Sequence, residues 1–190
     1  EPILFQAGYL TIKAVRQTDF GMTYSLGFPN REVAITFNNV IINYLTGSSN
    51  ILPVKNQLLA SLKQQDLDGF EQTIKSLFAA IPYTNYVNNT ISSYEGYYAS
   101  VIYAYLASLG LDITAEDVTS LGRIDLTIRM GDVIYILEFK VDGSGDALKQ
   151  IKERNYQQKY QTAGKNIILI GIDFDSSSRN VTGFAWETAD

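Results

Sequence analysis

Gly122-Arg123-Ile124-Asp125-Leu126-Thr127-Ile128-Arg129-Met130, Gly131-Asp132 and Val133-Ile134-Tyr135-Ile136-Leu137-Glu138-Phe139-Lys140-Val141 form one continuous stretch, and the fold turns on it. Both long segments carry apolar residues at every second position, as strands do, and Gly131-Asp132 is a two-residue turn of the kind that closes a tight hairpin. Pairing Met130 with Val133 sets Asp125 directly opposite Glu138. Their Cβ atoms are then about 5 Å apart, close enough for one oxygen from each to hold a single hard cation. Lys140 points to the same face, because strand side chains alternate.

The two faces differ in kind. Ile124, Leu126, Ile128 and Met130, with Val133, Tyr135, Leu137, Phe139 and Val141, make an apolar face that must pack on a core. The other bears Asp125, Thr127, Glu138 and Lys140 together with Ile134 and Ile136, which predicts a covering helix and charges partly withdrawn from water. On spacing alone, the acidic pair and the lysine fit a solvated salt-bridge cluster as well as a metal site.

Outward from this hairpin the chain reads as helix, three strands, helix, two strands, which is α/β. Tyr94 to Leu109 is apolar almost all round and ends at Gly110, so it is a buried helix with Glu95 at its start. Asp112 to Thr119 is the first strand, Asp146 to Tyr160 a helix, and Asn166 to Phe174 and Val181 to Glu187 the last two strands, separated by a Ser176-Ser177-Ser178 loop. Upstream, Gly8 to Val15 and Met22 to Phe28 form a hairpin, followed by a helix over Glu32 to Leu45 and a loop over residues 46–50. Val54 to Leu67 is helical, and Asp68-Gly69-Phe70-Glu71 has the spacing of a capping box that opens another helix, stopped by Pro82. This divides the chain into a hairpin-helix segment (1–50), a helical linker region (51–93) and an α/β domain (94–190).

Composition narrows the chemistry. The 190 residues include no Cys and no His, with 20 acidic against 15 basic side chains. That excludes disulfides, thiolate or imidazole metal sites, and any Cys or Ser-His-Asp nucleophile. What remains is carboxylate, lysine, hydroxyl and amide chemistry, with a hard cation held by oxygen. The acidic balance argues against avid, sequence-blind nucleic-acid binding, though a local basic groove is compatible with it. No apolar run reaches the roughly 18–20 residues of a membrane helix, and the start is no signal peptide, so the expectation is a cytoplasmic protein with no membrane partner. The lack of an initiator Met implies a longer chain with a partner domain.

Asp125, then Glu138-Phe139-Lys140 on the next strand, then a helix containing Gln150, resembles the PD-(D/E)XK nuclease superfamily. GRIDLTI, YILEFKVDGS and ALKQIKERNYQQKY are similar to a branch of it in which an AAA-ATPase-like domain precedes the nuclease-like domain in uncharacterised bacterial proteins. LFQAGYLTIK and YSLGFPNREV resemble the end of that ATPase-like portion. The resemblance implies a restriction-endonuclease-like core with an extra C-terminal strand. It also implies Asp125 and Glu138 as ligands of Mg2+ or Mn2+, Lys140 as the group that positions the attacking water, and Glu95 and Gln150 as assisting residues. The implied substrate is DNA or RNA, and the implied partner is the ATPase-like part of the same chain. One departure from the pattern is Ala99, where relatives often have a His four positions after the helical Glu. The alternative is a nuclease-fold module without catalysis that serves docking or nucleic-acid recognition.

Weaker candidates are a basic face of Lys149, Lys152, Arg154 and Lys159 interleaved with Tyr156 and Tyr160, which reads more readily as a solvated face than as a nucleic-acid groove. Gly143-Ser144-Gly145 lacks the remaining residues of a phosphate loop. Asp173-Phe174-Asp175 suits a turn better than a cation.

Overall fold

The computed structural model describes residues 2–47, 51–87, 89–143 and 147–189. A short helix α1 (Pro2–Gln6) leads into a two-stranded hairpin, β1 (Thr11–Thr18) and β2 (Gly21–Gly27), and then three helices, α2 (Arg31–Thr46), α3 (Leu52–Gln64) and α4 (Leu67–Ala79). After two single turns of 3-10 helix comes α5 (Glu95–Ser108). The rest is β3 (Asp112–Val118), β4 (Arg123–Met130), β5 (Val133–Val141), α6 (Ala147–Glu153), a 3-10 stretch at Tyr156–Ala163, β6 (Asn166–Asp175) and β7 (Asn180–Thr188). The chain is thus a mixed α/β structure.

The five long strands form one sheet in chain order, with β5 and β6 parallel and the other neighbours antiparallel. The parallel pair needs a crossover, and α6 with the 3-10 stretch supplies it. One face of the sheet packs on helices α3, α4 and α5 through Leu126, Ile128, Tyr135, Leu137, Phe139, Ile170 and Phe174. Phe174 stacks on Tyr98 of α5 with ring centroids 4.2 Å apart, and Tyr135 donates its hydroxyl to the Leu62 carbonyl at 2.6 Å, tying the sheet to α3. The other face is covered by α6 and the 3-10 stretch, where Ile151, Tyr156 and Tyr160 meet Ile134, Ile136 and Leu169. This is the covering helix that Ile134 and Ile136 predict.

The central hairpin pairs Met130 with Val133 and holds that register through Leu126 and Leu137. Gly131 takes φ 57 in the turn, a conformation that favours glycine.

Five expectations need correcting. Ile124 lies on the α6 side, not with Leu126 and Ile128. Strand alternation breaks at Glu116, which adopts φ 52 between the pairs Ala115–Leu126 and Asp117–Ile124, and Asp117 and Ile124 both reach the opposite face. The helix expected to run to Tyr160 ends at Glu153 because Asn155 is left-handed at φ 49; the tighter 3-10 winding beyond it buries Tyr156 and Tyr160. The helix expected to run from Val54 to Leu67 ends at Gln64, where Gln65 takes φ 55. The cap of the next helix is Asp66, whose carboxylate accepts from Gly69 N at 2.9 Å, in place of the Asp68 capping box. The upstream hairpin has strands of the expected lengths, but both are shifted toward the turn, so that Asp19-Phe20 alone close it. Residues 48–50, 144 and 145 of the two predicted loops, and Asp146, lie outside the described residues.

Candidate functional site

Asp125 and Glu138 sit one step beyond the last paired residues of the central hairpin, where β4 and β5 begin to part. The Asp125 Oδ2 accepts the Phe139 backbone N–H at 2.8 Å, and Glu138 Oε2 lies 3.5 Å from Asp125 N. Each carboxylate therefore braces the other strand, and the two are neighbours, as the predicted register requires. Glu138 is only 1% exposed, and its Oε1 accepts from the Gln150 side chain of α6.

The closeness of α6 has a backbone cause. Gly171 of β6 pairs with Glu138, and a Cβ at that position would collide with the backbone of Ala147 and Leu148. A lone glycine inside an apolar strand is the sequence signal for such an approach. Asp173, further along β6, accepts from Ala147 N at 3.4 Å at the start of α6. The helix is thus seated so that Gln150 reaches Glu138.

Lys140 stands between two acids. Its Nζ is 3.3 Å from Glu95 Oε2 on α5 and 3.9 Å from Glu138 Oε1. Glu95 is 39% exposed and meets the cluster through Lys140. Among the described residues no three acidic side chains converge as a preformed metal cage, so Glu95 stands apart from the Asp125–Glu138 pair.

The electrostatics of the pair are unusual. Burial pushes Asp125 up to about 6, opposed by the Phe139 hydrogen bond and aided by the charge of Glu95. Burial also pushes Glu138 up to about 8, with the Asp125 charge adding to the rise and Lys140 opposing it. A buried and a half-buried carboxylate side by side, with one nearby lysine, are left with their ionised forms undercompensated by the surroundings. Their donor set is two hard oxygens, which fits a divalent cation completing its shell with water or substrate oxygen.

Residues 93–184 match the PD-(D/E)XK nuclease superfamily. The chain therefore carries a domain of that superfamily. Its span takes in Glu95, Asp125, Glu138, Lys140 and Gln150. The chain is also 41% identical over 192 residues to the "Uncharacterized protein in vnfD 5'region" of Azotobacter chroococcum mcd 1. That alignment covers 99% of this chain and 37% of the relative, so the chain spans well under half of the relative's length. No solved structure matches. Among the described residues no helix is long and apolar enough to cross a membrane.

Each cation of the basic face has a partner within the chain. Lys149 is 3.9 Å from Glu153, Lys152 is 2.9 Å from Glu187, Arg154 donates to the Leu121 carbonyl and Lys159 is bound to Asp117. Tyr156 and Tyr160 are buried, so neither offers a ring to a base. Asp175 accepts from Ser177 and Ser178, which holds it down at about 2 and makes it a turn residue.

Sequence reasoning missed the buried network around Asp117. Its carboxylate accepts from Thr127 Oγ1 at 2.9 Å and from Lys159 and Tyr160, while Arg129 donates to the Tyr160 hydroxyl at 2.8 Å. The alternation break at Glu116 turns Asp117 inward, and nothing in the residue types announces it.

Proposed function

We propose that the 93–184 domain hydrolyses phosphodiester bonds of DNA, with RNA as the other polynucleotide it would take, using Mg2+ or Mn2+ held by Asp125 and Glu138. The observation that carries this reading is the adjoining carboxylate pair, Glu138 buried and Asp125 half-buried, with Lys140 beside it. A bound divalent cation would supply positive charge to the carboxylates and to the phosphate as its negative charge grows. The chain's own residues do the rest. Asp125 is fixed by the Phe139 N–H and Glu138 by Gln150, so neither has to reorganise on loading. Lys140, steadied by Glu95, donates hydrogen bonds that orient the attacking water and meet charge on the phosphoryl oxygens.

A second reading has its own support: the domain as a non-catalytic docking or recognition module beside an ATPase-like portion ending near residue 50. Ala99 stands where relatives often carry His. In the β1–β2 hairpin Ile12, Val15, Met22 and Tyr24 are all exposed, as suits a surface with a protein neighbour.

Calorimetric titration of Mn2+ into the wild type, Asp125→Ala and Glu138→Ala at mildly alkaline pH separates the two. Binding by the wild type alone, followed by Mn2+-dependent cleavage of DNA, is the expected result. No binding by any of the three proteins would eliminate the hydrolytic reading.

A further inference from the structure

A cavity of about 550 Å³ opens beside the carboxylate pair, between α2 and α5 and down to β3 and β4. Glu95 and Asp125 line it, so it is continuous with the site. Its size lies within the roughly 300–1,000 Å³ typical of small-ligand sites. Most of its wall is apolar, with the rings of Phe28, Phe37 and Tyr103 among the lining groups.

Asn38 of α2 lines the same cavity and is only 5% exposed. Its amide nitrogen donates to the Ala34 carbonyl at 2.8 Å. A carbonyl can only accept, so this bond fixes which end of the amide is nitrogen. The Oδ1 end meets no donor among the described residues and keeps some open surface, so it can accept an N–H from a molecule that enters the cavity.

The charged groups lining the cavity are Glu95, Glu116, Asp125 and Arg123, and Arg123 is engaged with Glu116 at 3.2 Å. Such a lining repels a phosphate. It suits a neutral, flat group with apolar faces and an N–H on its edge, which describes every common nucleobase. A base inside a duplex has its faces stacked and its edge paired, so it can use these walls only after leaving the helix.

We propose that this cavity receives one unpaired nucleobase of the substrate strand, adjacent to the phosphate held over Glu138 and Lys140. The substrate is then single-stranded or locally opened nucleic acid. Because all the bases carry an N–H, Asn38 holds a base without selecting among them, and cleavage is sequence-tolerant. The proposal rests on the hydrolytic reading above and adds the strandedness of its substrate.

Gly96 on α5 offers a clean test. It lines the cavity, and a Cβ added there meets no atom within 4 Å, so the space in front of it is open and Gly96→Leu puts a side chain into it. The probe is a short single strand carrying 2-aminopurine, a fluorescent base, mixed with the full chain and Ca2+ in place of Mn2+. The expected result is a saturable change in base emission, with a matched duplex binding weaker by about ten-fold or more. Gly96→Leu should lose the emission change, and Asn38→Leu should weaken it, while both keep the wild-type Mn2+ titration. Equal binding of duplex and single strand, or an unaltered signal in Gly96→Leu, would overturn the proposal. Failure of the hydrolytic reading shows separately, as absence of Mn2+ binding in the wild type. Mn2+ binding without any base signal overturns the cavity proposal alone.

Discussion

The Asp125 carboxylate reaches across to the next strand and takes the Phe139 N–H at 2.8 Å, just where the β4–β5 backbone pairing runs out. One side chain thereby stands in for a missing strand partner and is held beside Glu138. Asp125→Asn keeps an oxygen for that N–H, whereas Asp125→Ala leaves it unpaired at a cost of about 1–3 kcal/mol. Urea unfolding of metal-free protein should rank the alanine variant below the asparagine one by that amount. Both should lose most Mn2+ affinity. Equal stability of the two would mean that the bond contributes nothing.

Glu138 and Asp125 titrate higher in the fold than the ordinary 4.5 and 3.8, at about 8 and about 6. Between about pH 4 and 8 the native state thus keeps protons that the unfolded chain has released. Metal-free protein should lose stability as pH rises through that window. Glu138→Gln removes the larger part of the effect while its amide oxygen still accepts from Gln150. It should stabilise the metal-free protein by on the order of 2 kcal/mol above pH 8 and by little near pH 4. Chemical denaturation in chelator across that range reads it out, and parallel curves for variant and wild type would refute the assignment.

Gly171 lets α6 lie close on the sheet, since a Cβ there would strike the backbone of Ala147 and Leu148. Gly171→Ala should therefore push α6 outward and draw Gln150 away from Glu138. The expected cost is about 1–3 kcal/mol in thermal or urea unfolding. Mn2+ affinity should fall as well, because Glu138 loses the amide that orients it. A variant with wild-type stability and wild-type Mn2+ affinity would show that the sheet yields at that point instead.

The central hairpin was legible because two physical signals coincide there. Period-two patterning names the strands, and Gly131-Asp132 allows only one tight turn, so the Asp125–Glu138 neighbourhood follows from counting. The covering layer could also be read, since Ile134 and Ile136 beside charges require something to lie over them. Ile124 and Asp117 were not legible. Their placement depends on a positive φ at Glu116, a residue type that gives no warning of it. The break after Glu153 is similar: Tyr156 and Tyr160 keep a spacing compatible with an α-helix, and only the sheet surface decides for the tighter winding. The cavity beside the site is a tertiary matter altogether, because its walls come from α2 and α5, more than fifty residues apart at Phe37 and Gly96.

Lys140 separates holding the metal from doing chemistry. It lies 3.9 Å from Glu138 and 3.3 Å from Glu95, and its charge holds Glu138 lower than burial alone would leave it. Lys140→Met keeps the length of the stem and removes the charge, so both metal-binding carboxylates remain. Glu138 should then titrate at still higher pH, and the midpoint of the Mn2+ affinity profile should move in the alkaline direction. At a pH high enough to ionise Glu138, Mn2+ should still bind. Cleavage should nevertheless be lost by about a hundred-fold or more, the scale of one positioned electrostatic donor. Calorimetry across pH, set beside a cleavage assay on the same samples, tests both halves. Loss of Mn2+ binding at every pH would make Lys140 part of the metal site's framework instead, and full cleavage in the variant would remove it from the chemistry.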